Sequence, residues 1–437
     1  MLRSVLATCA TVLMATSVVA CGGDDEPKST DSETPAATGT ETASASATPT
    51  FTATPFDPPK KFEVRGQPMG LPDKSPSEGI LPQTTTDRVA LAENVAVAAD
   101  STGLYASDLS IGTQLWQRPA VPADQAATVT AYGPTAPVTT TLGGRTLVVV
   151  AFGERVKGAG TTKDHVQTSL QAVDPADGTP AWTVELPGSD RPGRVLIDEE
   201  SGLIAVGSYA QTITLVDANA HRALWTLPQY ELVAFGKGII AARPDADNPT
   251  HGLVGLDAHT KQVRWRALPW ARPTTEIRAI GAAGSFIVAS TKAFFTDPHS
   301  AKSWEPQTRH VIDLTTGKTV TTFKGNEHAD GGVSCEYDGV SVLACAYMQD
   351  EAFAIDTTSG RKLWWFDSSG SRVPPVITAA FHGVVYAKAQ NGPAMLDAKT
   401  GQDLGNPGAV AMTVDEYGAA SYEADRSDDV ILHPAIG

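Results

Sequence analysis

Ala354-Ile355-Asp356-Thr357-Thr358-Ser359-Gly360-Arg361-Lys362-Leu363-Trp364 is the stretch on which the fold turns. A short apolar run ends in an Asp, a small polar turn with Gly four residues on follows, and Trp stands eight residues past the Asp. A carboxylate at a strand end can accept backbone N–H groups two residues on, while Gly supplies the positive φ that closes the turn. The Trp then falls on the returning strand, where its ring can fill the space between neighbouring sheets and offer its N–H to an acceptor.

The unit recurs. Asp108 is followed by Gly112 and Trp116, Asp174 by Gly178 and Trp182, Asp217 by His221 and Trp225, and Asp257 by Lys261 and Trp265. Asp313 with Gly317 and Asp397 with Gly401 complete seven, Thr321 and Gly405 standing where Trp would be. The intervals from Asp to Asp are 66, 43, 40, 56, 43 and 41 residues. Periods near 40 residues built of short strands point to β-propellers. A catalytic group is needed once and a fold-building group in every blade, so the repeated Asp and Trp read as structural.

Four successive strands fit each unit: in the first, Arg88 to Asn94, Val95 to Asp100, Gly103 to Leu109 and Gln114 to Pro119. Such short alternating runs suit sheets packed face to face around a ring. Beyond Asp397 lie three further strand-like runs, Val410 to Val414, Gly418 to Glu423 and Val430 to His433. Joined by the N-terminal segment Lys61 to Arg65, they predict an eighth blade that leaves the ring no open edge. Seven blades with a C-terminal appendage is the alternative. The expected fold is thus an all-β propeller of four-stranded blades, eight preferred.

The N-terminal part predicts an address. Arg3 and the apolar Val5 to Val19 read as an export signal, too short for a secure membrane span. Val18-Val19-Ala20-Cys21 resembles a bacterial lipobox, which makes residues 1–20 a lipoprotein signal peptide and Cys21 the lipid attachment site. Its acyl chains, at about 0.8 kcal/mol per buried CH₂, would hold the protein on a membrane. Residues 21–59, dominated by Thr, Ser, Ala, Pro and acidic residues, read as a disordered tether, and 60–437 as the propeller. Cys335 and Cys345 are the two cysteines left in the folded part, and outside the cytoplasm they are expected to form a disulfide. They flank a turn at Asp338-Gly339; a two-residue turn would put them out of register, so the bridge requires a longer loop or a bulge.

These repeats resemble the pyrroloquinoline-quinone (PQQ)-like β-propeller family, whose unit is commonly written A-x-D-x-x-T-G-x-x-x-W. The resemblance covers about residues 80 to 405. It implies the fold with more force than any activity, because the family includes quinoprotein dehydrogenases as well as noncatalytic lipoproteins. The dehydrogenases carry a disulfide between adjacent cysteines over the cofactor; this chain has no Cys-Cys pair, which favours a binding or scaffold role with no cofactor.

The 33 basic against 49 acidic residues, a formal charge of -16, argue against nucleic acid as a partner. No His-x-x-x-His pair, Gly-x-Ser-x-Gly elbow or phosphate loop occurs, and His165, His251, His259, His299 and His328 lack metal-ligand spacing. No residue is therefore assigned to catalysis, cofactor or metal. Two irregularities stand out: the second repeat is lengthened around Glu154 to His165 and the fifth around Phe294 to Gln307. Loops on a rigid scaffold are common binding elements, which makes Phe294, Phe295 and Trp304 a candidate contact patch. The expected function is a partner-binding or scaffold propeller anchored by lipid to the outer face of the cytoplasmic membrane, for a protein or an envelope polymer. The alternatives are a PQQ-dependent dehydrogenase and a lyase or hydrolase of cell-wall polymer.

Overall fold

The computed structural model describes residues 54–69, 89–121, 127–244, 252–267, 275–293, 307–326, 333–422 and 430–437. All of them lie in the unit Phe51–Gly437. Their strands form eight antiparallel sheets in chain order. Blade 1 consists of Val89–Ala92, Val95–Ala99, Gly103–Asp108 and Gln114–Pro119, numbered from the centre of the ring to its rim. Blades 3 to 7 repeat that meander, from Pro192–Asp198 in blade 3 to Asp403–Gly405 in blade 7. Blade 2 has an inner strand in two pieces, Ala127–Pro134 and Val138–Leu142, both paired with the long Arg145–Val156.

The burial pattern follows position in the blade. Middle strands are covered by neighbouring sheets on both faces, so Val95–Ala99 is buried throughout, as is Gly103–Asp108. Rim strands have one covered face, and Pro180–Pro187 alternates accordingly. The core therefore lies between blades. One cluster joins Leu203, Ile213, Leu215 and Trp225 of blade 3 to Ile240, Val254 and Leu256 of blade 4. Each such aliphatic side chain contributes about 1.5–3 kcal/mol when fully buried.

The repeated unit couples one blade to the next. Trp116 Nε1 donates to the carbonyl of Pro175 at 2.8 Å, Trp225 to Ala258 at 2.7 Å, and Trp265 and Trp364 to Leu314 and Ala398 at 2.8 Å. Each acceptor is the residue immediately after the repeat Asp of the following blade. That Asp organises its own turn: Asp313 Oδ1 accepts the backbone N–H groups of Thr315 and Thr316, and Asp397 those of Lys399 and Thr400. Gly317, at φ +68°, lies directly under the preceding blade's Trp265, where a Cβ would fall 2.6 Å from the ring. His221 and Lys261, the two exceptions to Gly, take the same left-handed backbone. His221 stacks on Trp182 at 5.7 Å, and Lys261 Nζ lies 5.4 Å from the Trp225 ring.

Blade 8 closes the ring from both ends of the sequence. Thr413–Val414, Gly418–Tyr422 and Val430–Pro434 form its first three strands, and Gln67–Pro68 its rim strand. Eight blades are therefore present, although the closing strand lies slightly later than Lys61 to Arg65. In that stretch the only β-bridge is that of Phe62 to Ala435, and the strand proper begins at Gln67 against Leu432. The rim strand then covers the first repeat turn: a Cβ at Gly112 would fall 2.7 Å from that of Gln67. Upstream residues are seated as well. Phe56 N–H donates to Glu416 O and Lys61 N–H to Gly437 O; Asp57 pairs with His382, and Tyr386 Oη donates to Pro59 O. Residues 54–59, placed in the tether by composition, thus join the ring as a strap, because blades 7 and 8 supply partners that the local sequence does not show.

Candidate functional site: the loop face and the polar seam beneath it

An antiparallel four-stranded blade sends its first and third connections to one face, and its second connection and its exit to the other. On the first face every connection between consecutive strands is a turn of six residues or fewer. On the second, 157–164 joins strands two and three of blade 2, and the stretch from Ala293 to Thr308 joins those of blade 5. Each of the longer connections, including that from Pro68 to Val89, opens on this loop face.

A buried polar seam lies under it between blades 5 and 6. Arg309 is the second residue of the third strand of blade 5, Thr308–Asp313, and Glu351 the first of that of blade 6, Glu351–Asp356. Arg309 Nη2 meets Glu351 Oε2 at 2.6 Å, and neither side chain is exposed. The desolvation penalty of a buried pair is offset only when the remaining polar atoms are also satisfied. Most of them are: Arg309 Nη1 donates to Ser290 Oγ and to Gln307 Oε1, Ser290 Oγ donates to Gln307 Oε1, and Trp365 Nε1 donates to Glu351 Oε1, while Arg309 Nε is buried without a partner. Gly325 leaves room for the guanidinium, since a Cβ there would lie 2.6 Å from Nε.

The seam pins the stems of the connections above it. Gly325 N–H donates to Gln307 O, and Asn326 Nδ2 to Asp350 O. Phe323 and Phe353 pack edge to face below. Gln307 therefore belongs to the scaffold, although the sequence pattern places it in the loop; buried at 4 % exposure, it serves Arg309 rather than a ligand.

Blade 2 supports its own hairpin in a similar way. Glu154 is buried and accepts from Gln167 Nε2 at 3.0 Å. Burial pushes its carboxyl above the ordinary value, the hydrogen bonds opposing and nearby Glu185 adding to the rise. Thr168 Oγ1 holds Ser189 O, and Thr130 Oγ1 holds Asp190 O, tying the exit of the blade to its centre.

Cys335 and Cys345 are joined by a disulfide. They stand opposite each other in register between the first two strands of blade 6. Their hairpin has a loop longer than two residues, in which Asp338 Oδ1 accepts N–H groups from Val340, Ser341 and Val342. The bridge packs on Gly281 of blade 5, where a Cβ would fall 2.5 Å from Cys335 Sγ.

Asp108, Asp174, Asp217, Asp257, Asp313, Asp356 and Asp397 lie one to a blade on the short-turn face and are not brought together. Their carboxylates are engaged in their own turns; that of Asp257, paired with Arg264, is lowered to about 2. Cys21, Phe294, Phe295 and Trp304 lie outside the described residues. Among the described residues no group of His, Cys, Asp and Glu is arranged to hold a metal. Sequence reasoning missed Arg309 and Glu351. The available signal was a charge at the loop-face end of an otherwise apolar strand face, of opposite sign in consecutive blades.

No family model matches the chain, and no curated protein matches it. Among solved structures it is similar to the computationally designed Ika8 protein, at 13% identity and a TM-score of 0.51, over 80% of this chain and 96% of that one. BamB from Moraxella catarrhalis aligns at 16% identity and a TM-score of 0.46, over 81% and 95% of the two chains. A europium-containing methanol dehydrogenase aligns at 12% identity and 0.38, over 70% and 72%. At these identities the likeness concerns the fold.

Proposed function

We propose that the protein is a lipid-anchored, extracytoplasmic scaffold that binds a partner protein through its loop face. One observation carries this reading: the long connections of the ring all open on one face, and the stems of the longest in blade 5 are pinned by the buried Arg309–Glu351 seam. A rigid frame that presents loops from one side is a common architecture for recognition. The Cys335–Cys345 bond supports an oxidising compartment, in keeping with the signal and lipobox read at Cys21.

In vivo photo-cross-linking tests it. A photoreactive residue at Thr161 or Ala210 on the loop face is expected to trap a defined protein species, and one at Lys399 or Glu200 on the short-turn face is not. Replacing residues 294–306 with a short Gly-Ser connection, ending before Gln307, should weaken that species while leaving the thermal transition in place. Equal trapping from both faces, or trapping unchanged by the replacement, rejects the loop face as the docking site.

A further inference from the structure

Blades 3, 6 and 8 carry a buried Asp at the start of the inner short turn: Asp198, Asp338 and Asp415. In each case the next blade around the ring has a two-residue turn whose first residue takes positive φ: Lys237-Gly238, His382-Gly383 and Glu93-Asn94. Two of the three junctions are stapled through these turns. Asp198 Oδ2 accepts the N–H of Gly238 at 3.0 Å, and Asp338 Oδ2 that of Gly383 at 3.2 Å. At the third, where blade 8 meets blade 1, Asp415 Oδ1 accepts Tyr417 and Gly418 N–H within its own turn. Its Oδ2 is buried with no partner among the described residues. The staple is thus unmade at the junction where the two ends of the chain close the ring.

We infer that the junction of blades 8 and 1 is a proton-operated clasp, closed while Asp415 is neutral and loosened when it ionises, and that it governs how firmly the strap of residues 54–62 is held. This depends neither on the anchor nor on what the loop face binds. A buried carboxylate is tolerated in its charged form only when it is paired or fully hydrogen-bonded, and Oδ2 has neither kind of support. Turn 415–418 also holds other parts of the closure. Glu416 O accepts the N–H of Phe56, and Tyr417 O that of Ala435, the bridge partner of Phe62. Moving the turn to hydrate an ionised Asp415 slackens the closing sheet and the strap together.

The charged groups around the turn act in the same direction. Burial raises the Asp415 carboxyl, the Tyr417 and Gly418 N–H groups oppose the rise, and Glu416 adds to it. The phenol of Tyr417, packed with Val89 and Leu91 of blade 1, is raised by burial and then by Glu416, Glu93 and Asp415, so acidic groups flank the seam from both blades. Behind Glu93, Asp108 is engaged by Asn94 Nδ2. On the side of blade 7, His382 is taken by Asp57 of the strap. His433, in the third strand of blade 8, is bonded to Ser421 and to the Glu63 carbonyl, and burial lowers its value, so it brings no positive charge near neutral pH.

Hydrogen exchange of the full chain from about pH 4 to about pH 9, each rate divided by that of the unstructured peptide at the same pH, reads the opening of each junction. Peptides covering residues 54–62, 89–95 and 412–420 should lose protection together, several-fold, as pH rises. Those covering the turns at Asp198 and Asp338 should keep theirs. Asp415→Asn should hold all three regions at their low-pH protection, and Glu93→Gln should move the loss to higher pH. Protection at the junction of blades 8 and 1 that does not change with pH, an equal loss at all three junctions, or a loss in Asp415→Asn as large as in the parent overturns the clasp. Loss at 89–95 and 412–420 with 54–62 unchanged overturns its hold on the strap. Should Asp415→Asn not fold, the three junctions compared within the parent chain, together with Glu93→Gln, decide the matter.

Discussion

Arg309 and Glu351, from consecutive blades, form an ion pair at 2.6 Å with no exposed side-chain surface on either partner. Removing one member of such a pair strands the other. Arg309→Met should therefore cost about 3–5 kcal/mol, whereas Arg309→Met with Glu351→Met should recover most of the loss. Urea unfolding of the full chain reads both. Equal destabilisation by the single and double variants would show that the pair is not the source of the cost.

The blade-to-blade Trp contacts separate into a donor and a volume. Trp364→Phe keeps a ring but leaves the Ala398 carbonyl without its donor, a loss of about 1 kcal/mol. Trp364→Ala should cost about 3–5 kcal/mol through the void left between sheets. Gly401→Ala, at φ +68° with a Cβ 3.0 Å from Trp364 Cγ, should cost more than about 1 kcal/mol. The three midpoints, ranked by thermal denaturation, check the order.

Replacing Cys335 and Cys345 together by Ala removes a cross-link spanning 10 residues. The chain-entropy relation gives a loss of about 2.5–3 kcal/mol. The mature protein should gain the mass of two hydrogens on reduction. Two thiols that alkylate before reduction would contradict the bridge.

Two carboxylates, Asp257 and Asp415, predict opposite responses to pH. Asp257, beside Arg264, has its folded value lowered to about 2. Its contribution is thus present above the unfolded value near 3.9 and disappears as pH falls toward about 2. Arg264→Gln should flatten the acid limb of a stability–pH curve in that window.

Asp415 responds the other way. Burial pushes its carboxyl well above the ordinary range, against the hydrogen bonds from Tyr417 and Gly418 N–H. Its Oδ2 is buried without a partner. A raised folded value means stability present at low pH and lost as pH rises through it. Asp415→Asn should match the parent near pH 3 and exceed it in urea midpoint at pH 8; a variant weaker at both would reject this assignment.

The ring was legible in the sequence wherever its determinants are contiguous. From Asp356 to Trp364 a single hairpin contains strand end, turn and returning ring, so the local pattern specifies each blade. The seam was not legible, because Arg309 selects Glu351 only after two blades have packed in register. Gln307 misled for the same reason: its partners Ser290 and Arg309 lie on two different strands. The closing strand was placed too early because Gln67 takes its register from Leu432 rather than from neighbours in the chain.

His433 Nδ1 lies 2.9 Å from the carbonyl of Glu63, a contact across 370 positions. Contacts of such sequence separation form late and slowly. A growing chain can build blade after blade from local hairpins, yet the first and last sheets keep raw edges until the residues around His433 have been made. Sealing therefore waits for the residues around His433, and the unsealed precursor is the species most in need of protection from edge-to-edge association.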